Sequence, residues 1–173
     1  MQGSVEHVLE QLARRGSWMG GGSAAALCGA VAAALLEKLV HRPGEARRLA
    51  RVRRDCLRLI QRDADAFARV IRTTRGRDRT AFARALKAAT DIPCAVFKHA
   101  QALQAACRSA QRSVKPRFQS DLRCAMAIAL AAGESARTLV QTNLAWLDEP
   151  AYTRRIRRRL ETLATQHARN RLR

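Results

Sequence analysis

Asp63 stands where a hydrophobic residue is due. Leu49, Val52, Cys56 and Leu59, then Phe67 and Val70, recur at steps of three and four, the spacing of one helix face. The slot between Leu59 and Phe67 is filled by Asp63, while Asp65 lies off the stripe and faces water. A carboxylate on a packing face is costly unless it is paired or hydrogen-bonded. It therefore bridges to an arginine, caps a neighbouring helix, or serves as a positioned acid or base whose pKa burial raises. A second series repeats the situation: Asp121 starts it, Cys124, Ile128, Ala132, Ser135 and Leu139 follow, and Asn143 and Trp146 continue it. Asp121, just after Ser120, also suits a first helical turn, where the helix dipole favours an acid. Asn143 has Leu144, Trp146 and Leu147 around it, and its amide needs partners there. The third feature is Gly20, Gly21 and Gly22 directly before Ser23 and an alanine-rich run. Such a triplet is either a hinge or a backbone surface that something approaches closely. Its place before a serine able to cap a helix argues against the hinge.

The elements that must position these residues are helices. Ala, Leu and Arg dominate, strand formers are sparse and rarely alternate, and prolines number four. The fold expected is all-α, an antiparallel bundle of about five to seven helices around a central small-residue helix. In a chain of 173 residues with no linker or fixed repeat, one domain is expected. Ser4 caps a first helix that ends near Arg15 and Gly16. Ser23 caps a second that runs to about His41, where RPG breaks it. A third is read from Glu45 to Thr74, and a fourth segment from Arg79 meets Pro93, which either starts a new helix or kinks a long one. KPRFQSD reads as a loop, Asp121 to Trp146 as a fifth helix, and Pro150 separates a basic last helix.

Several classes of function find no support. The five cysteines (Cys28, Cys56, Cys94, Cys107 and Cys124) form no CxxC pair, and the four histidines are isolated, so reduced thiols and no metal are expected. GGGS lacks the lysine of a phosphate-binding loop. The longest apolar run, Ala24 to Leu36, falls short of the about 20 residues a membrane span needs, and MQGSVEHVLEQ lacks the pattern of a secretion signal, so a cytoplasmic protein is expected. The formal net charge of +19 has three readings: nucleic-acid binding, attraction of an anionic small molecule, or solvated arginine faces. No aromatic interleaving suited to base stacking accompanies it, and nucleic acid is not the favoured partner.

Four separated segments together resemble the cyclodeaminase/cyclohydrolase family, the helical domain of formiminotransferase-cyclodeaminase. MGGGSAAALCGAVAAAL resembles its PGGGS segment, DADAF (Asp63 to Phe67) its Asp-x-x-Ala-Phe/Tyr, SDLRCAMAIALAAGESA its Ser-Asp before an alanine-rich helix, and TNLAWLDE its later Asn-Leu. The resemblance implies an all-α homodimer that acts on one-carbon tetrahydrofolates without metal or organic cofactor. Such enzymes either close 5-formimino-tetrahydrofolate to the 5,10-methenyl form with loss of ammonia, or hydrolyse that form to 10-formyl-tetrahydrofolate. It implies that Gly20, Gly21, Gly22 and Ser23 form the pocket loop, with the serine hydroxyl toward ligand. It further implies that Asp63 and Asp121 are the acid and base, that Ser120 contacts substrate and that Asn143 positions it. A basic rim would draw the glutamate tail of a folate. The alternative is a relative that has lost catalysis and binds nucleic acid or another polyanion. Met19 stands where the family has proline, KPRFQSD lacks the asparagine usual before Ser-Asp, and TTRGRDR replaces a Leu-Pro-Lys-like segment.

Overall fold

The computed structural model describes residues 5–76 and 78–169. Within them lie six α-helices: α1 (Val5–Ala13), α2 (Gly21–Glu37), α3 (Pro43–Thr74), α4 (Arg79–Ala110), α5 (Gln119–Ala145) and α6 (Pro150–Arg169), with a 3-10 turn at Pro116–Phe118 before α5. The all-α expectation holds. Ser4, read as the cap of the first helix, lies outside the described residues.

Helix α2 is the centre of the bundle and packs against α3, α4 and α5. It carries no charge before Glu37, and small residues such as Ala25, Ala26, Ala30, Ala32 and Ala33 are buried along it. Small side chains let neighbouring backbones come close, and Gly29 shows how close: a methyl group there would stand 3.0 Å from Cys56 Sγ on α3. Two of these neighbours, α3 and α5, run antiparallel to α2. Gly21 at its start meets Leu139 near the end of α5, and Lys38 just past its end pairs with Asp121 at the start of α5, 2.7 Å apart. Likewise Ser23 meets Ile60 on α3, and Glu37 meets Arg53.

Two boundaries differ from the sequence reading, and the alternative left open at Pro93 is resolved. Helix α2 opens at Gly21 with Gly20 as its cap, so Ser23 sits inside the first turn and is not the cap. Pro43 of RPG starts α3, because proline at the first helical position loses only an N–H that had no helical partner. Helix α4 runs unbroken through the buried Pro93. The missing Pro93 N–H leaves the Ala89 carbonyl without its usual donor one turn later. The short link to α4 is closed by Asp78, whose carboxylate accepts from the N–H groups of Thr80 and Ala81 at 2.9 and 3.0 Å.

Helix α5 buries a row of mostly small residues, Leu122, Ala125, Ala129, Ala132, Ala136, Val140 and Leu144. The stripe read from the sequence shares only Ala132 with that row. Ile128, Leu139 and Asn143 lie half-buried along its flank, and Cys124, Ser135 and Trp146 are exposed. Alanines, too small to stand out in a periodicity of large apolar residues, form the true core face. The thiols follow burial: Cys56 is pushed up to about 12 and Cys94 and Cys107 to about 11, chiefly by loss of solvent. These three are inert packing groups, whereas Cys124 is exposed and does not match the expectation of a packed thiol.

Candidate active site

A cavity of about 220 Å³ opens where the start of α2 meets α3, α4 and the end of α5. The backbone of Gly20, Gly21 and Gly22 forms one wall. Val70, Leu86, Ala89, Pro93 and Leu139 supply apolar surface, and Trp18, Phe67 and Trp146 stand around it. Those three rings are 47%, 45% and 59% exposed, which places them at the mouth, and Trp18 meets Phe67 edge-on at 6.5 Å. Both tryptophans of the chain therefore border one cavity. Aromatic faces around a narrow apolar slot suit a flat ring system.

Among the described residues, Asp63 is the one ionisable side chain lining this cavity. Its Oδ2 accepts a hydrogen bond from the Ser23 hydroxyl at 2.9 Å, and the Ser23 backbone N–H also donates to it. The carboxylate thus caps α2 from across the helix interface and meets the positive end of its dipole. Even so, burial outweighs both hydrogen bonds and holds the Asp63 pKa above the usual carboxylate range. Gly22 makes the arrangement possible, because a methyl group in its place would overlap the Asp63 carboxyl oxygens. Gly20 and Gly21 differ. A methyl on Gly20 would meet nothing, and one on Gly21 would meet only Leu139 at an ordinary 3.6 Å. Packing does not require those two glycines, yet side chains there would intrude on the cavity that both residues line.

Ser23 is fully buried. Its hydroxyl lies 2.9 Å from Asp63 Oδ2 and 3.1 Å from the Ile60 carbonyl oxygen. It therefore does not face the cavity, as the resemblance implied, but holds the acid that lines it. The two acceptors let the hydroxyl serve either state of Asp63. It donates to the carboxylate when Asp63 is ionised, and to Ile60 while accepting from Asp63 when the carboxyl is protonated.

Asn143 reaches the same cavity, and its side-chain amide has no hydrogen-bond partner among the described residues. Thr142 lines the wall beside it. Asp121 and Ser120 do not join them. Asp121 pairs with Lys38 at 2.7 Å, at the far end of α2, and Ser120 is exposed. From Gly22 to Lys38 the helical rise amounts to about 24 Å, so the two aspartates sit at opposite ends of one bundle. Asp65 faces solvent and accepts from Gln61 at 3.0 Å. Glu134 is exposed and pairs with Arg137 at 2.7 Å.

A second, polar cleft of about 340 Å³ adjoins the first and shares Trp18 with it. Gln11, Arg14, Arg15, Met19 and Gln61 line it. Met19, in the family's proline position, carries a backbone N–H that proline would lack, and the Ser17 hydroxyl accepts it at 3.1 Å. Among the described residues, no three His, Cys, Asp or Glu side chains gather as metal ligands would, and no helix is long and apolar enough to cross a membrane.

The sequence reading missed Trp18, Leu139, Thr142 and Pro93 as site residues. The available signal was composition: two tryptophans in an Ala- and Arg-rich chain, one beside the glycines and one beside Asn143.

A small-residue helix whose glycine-opened start meets a half-buried aspartate across an α-helical bundle defines the class of protein. The chain belongs to the formiminotransferase-cyclodeaminase family, whose pattern it matches over residues 4–42 and 45–162. The fold is similar to the crystal structure of a formiminotetrahydrofolate cyclodeaminase from Thermotoga maritima, with a TM-score of 0.86 and 20% identity over 96% of this chain and 91% of that one. No match was found among curated proteins.

Proposed function

We propose that this chain is a formiminotetrahydrofolate cyclodeaminase, releasing ammonia as it forms 5,10-methenyl-tetrahydrofolate in the cavity around Asp63. One observation carries the reading: a single half-buried carboxyl, held by Ser23, lines an otherwise uncharged and largely apolar slot edged by three aromatic rings. The protonated formimino group is an amidinium cation, and a carboxylate in a poorly solvated site stabilises it and the methenyl cation that follows.

In the reaction, N10 of the folate attacks the formimino carbon, so an N10–C bond forms and the former C=N becomes a single bond to an amino group. Asp63, ionised, takes the proton from N10. As an acid it then gives that proton to the amino nitrogen, the C–N bond breaks, and ammonia leaves. Asp63 ends in the state in which it began, so one carboxyl serves both steps. A pKa above the ordinary carboxylate value favours that exchange, and the Ser23 hydroxyl remains bonded throughout. The backbone of Gly20 and Gly21 lies against the flat ring, and Asn143 offers its free amide to a ring heteroatom. The Arg14 and Arg15 cleft beyond Trp18 suits the anionic tail. Hydrolysis of the methenyl form to 10-formyl-tetrahydrofolate is the second reading. It acts on the same carbon, and the unpartnered Asn143 amide favours it as a site to hold the attacking water.

We also propose a homodimer. Helix α2 exposes Val31 to 46% and has no charged residue between Gly21 and Leu36, so its outer side suits a second copy. The test of the enzyme reading is turnover of the formimino and methenyl compounds by the wild-type chain and by Asp63→Asn.

A further inference from the structure

The net charge of +19 is not spread evenly over the molecule. Helix α5 carries two basic and two acidic residues, although it presents many exposed positions, and α6 carries six arginines against one acid. Helix α3 carries nine arginines against four acidic residues. A uniform compositional bias toward arginine would load every solvent face alike, and here it does not.

On α3 the arginines are also ordered. Arg47, Arg51, Arg54, Arg58, Arg62, Arg69 and Arg72 are all exposed, and at about 100° per residue they fall within an arc of about 80°. Along the axis Arg47 and Arg72 are about 37 Å apart. The one acid within the arc, Asp65, is bonded to Gln61. Arg58 pairs with Asp55 at 3.0 Å, and the other six have no carboxylate partner among the described residues. Asp63 and Phe67 lie on the opposite side of the helix, so this surface faces away from the cavity.

We infer that the outer face of α3 is a docking surface for the phosphate backbone of duplex nucleic acid, bound without regard to sequence. A line of guanidinium groups along one helix face complements a rod of regularly spaced phosphates about one duplex turn long. No aromatic ring lies within the arc to stack unpaired bases, which favours a duplex over a single strand. The apolar side of α3 is committed to the core, leaving nothing to insert into a lipid surface. This inference does not depend on the folate reading.

The test is fluorescence anisotropy of the full chain with labelled duplex DNA and RNA of about two turns, titrated across salt. One variant combines Arg47→Gln, Arg51→Gln, Arg54→Gln and Arg58→Gln. A control removes the same charge from α6 through Arg154→Gln, Arg155→Gln, Arg157→Gln and Arg158→Gln. The wild type is expected to bind both duplexes with a steep salt dependence. The α3 variant should bind about 100-fold more weakly at moderate salt, with a log–log slope shallower by about 3 to 4. The α6 variant should lose much less, and lysine at the four α3 positions should keep the slope. Equal losses in the two glutamine variants would reduce the effect to net charge and overturn the inference. So would absence of wild-type binding at about 0.1 M salt, or tighter binding to phosphatidylglycerol vesicles than to either duplex.

Discussion

The Ser23 hydroxyl lies 2.9 Å from Asp63 Oδ2 and 3.1 Å from the Ile60 carbonyl, fully buried between two acceptors. Asp63 can therefore gain or lose a proton without losing its partner. Removing the hydroxyl leaves the carboxyl short of a hydrogen bond in a poorly solvated site. Ser23→Ala is expected to cost about 1 to 3 kcal/mol of stability. It should also move the acidic limb of the pH–rate profile upward, because Ser23 is the group that lowers the Asp63 pKa. Denaturant unfolding and a pH series of initial rates check the two effects separately.

Asp63→Asn separates stability from chemistry. The folded-state pKa of Asp63 is raised above its unfolded value by burial. The native state then binds the proton more tightly, so stability falls as pH rises from the unfolded value through the folded one, and the cost persists above it. The asparagine variant carries no such cost. Its stability relative to wild type should be greater at pH 7 than at pH 4, as measured by urea unfolding at both values, while turnover drops by about 100-fold or more.

The three glycines should behave unequally. Gly22→Ala places a methyl into the Asp63 carboxyl and should lower both stability and turnover. Gly21→Ala adds a better helix former where there is room, and Gly20→Ala enters open space. Gly21→Ala should match or exceed wild-type stability by a few tenths of a kcal/mol, up to about 1, whereas Gly20→Ala should lose about 1 kcal/mol, because Gly20 caps α2 and alanine is a poor cap. Because both residues line the cavity, they should still weaken folate binding. Quenching of intrinsic fluorescence reports that binding directly, since Trp18 and Trp146 border the cavity.

Asp121 and Asp63 occupy opposite ends of α2. The Asp121–Lys38 pair is more than a third exposed on both sides, so Asp121→Asn should change stability by less than about 1 kcal/mol. A loss of turnover in that variant would require a second chain to bring residue 121 to the cavity. Sedimentation of wild type and of Val31→Glu checks the dimer: the wild type should sediment as a dimer and the glutamate variant as a monomer.

Much of this molecule is legible in its sequence, and each failure has a physical cause. Asp63 was visible because large apolar residues flank it at helical spacing, and a charge in such a series is conspicuous. The burial of Ser23 was not visible, because serine before an alanine run suits a cap, and only the tertiary approach of α3 turns its hydroxyl toward Asp63. Asp121 followed the motif order of the family, but order along a chain says nothing about which end of an antiparallel bundle a residue reaches. The core face of α5 was hidden for a different reason. Alanines pack it, and periodicity of large side chains selected the flank instead. Pro93 allowed either a new helix or a kink in a long one; in the fold it stays within a continuous helix and lines the cavity.

The central claim is that Asp63 performs proton transfer on a folate amidine. It is tested most directly by following the absorbance of methenyl-tetrahydrofolate as it forms from 5-formimino-tetrahydrofolate, with wild type and Asp63→Asn compared at equal folded concentration. The wild type should turn over the compound, and Asp63→Asn should bind it, by tryptophan quenching, while losing at least about 100-fold in rate. Equal rates in the two proteins, or no turnover of either folate by folded wild type, would contradict the account and leave a bundle that binds without catalysis.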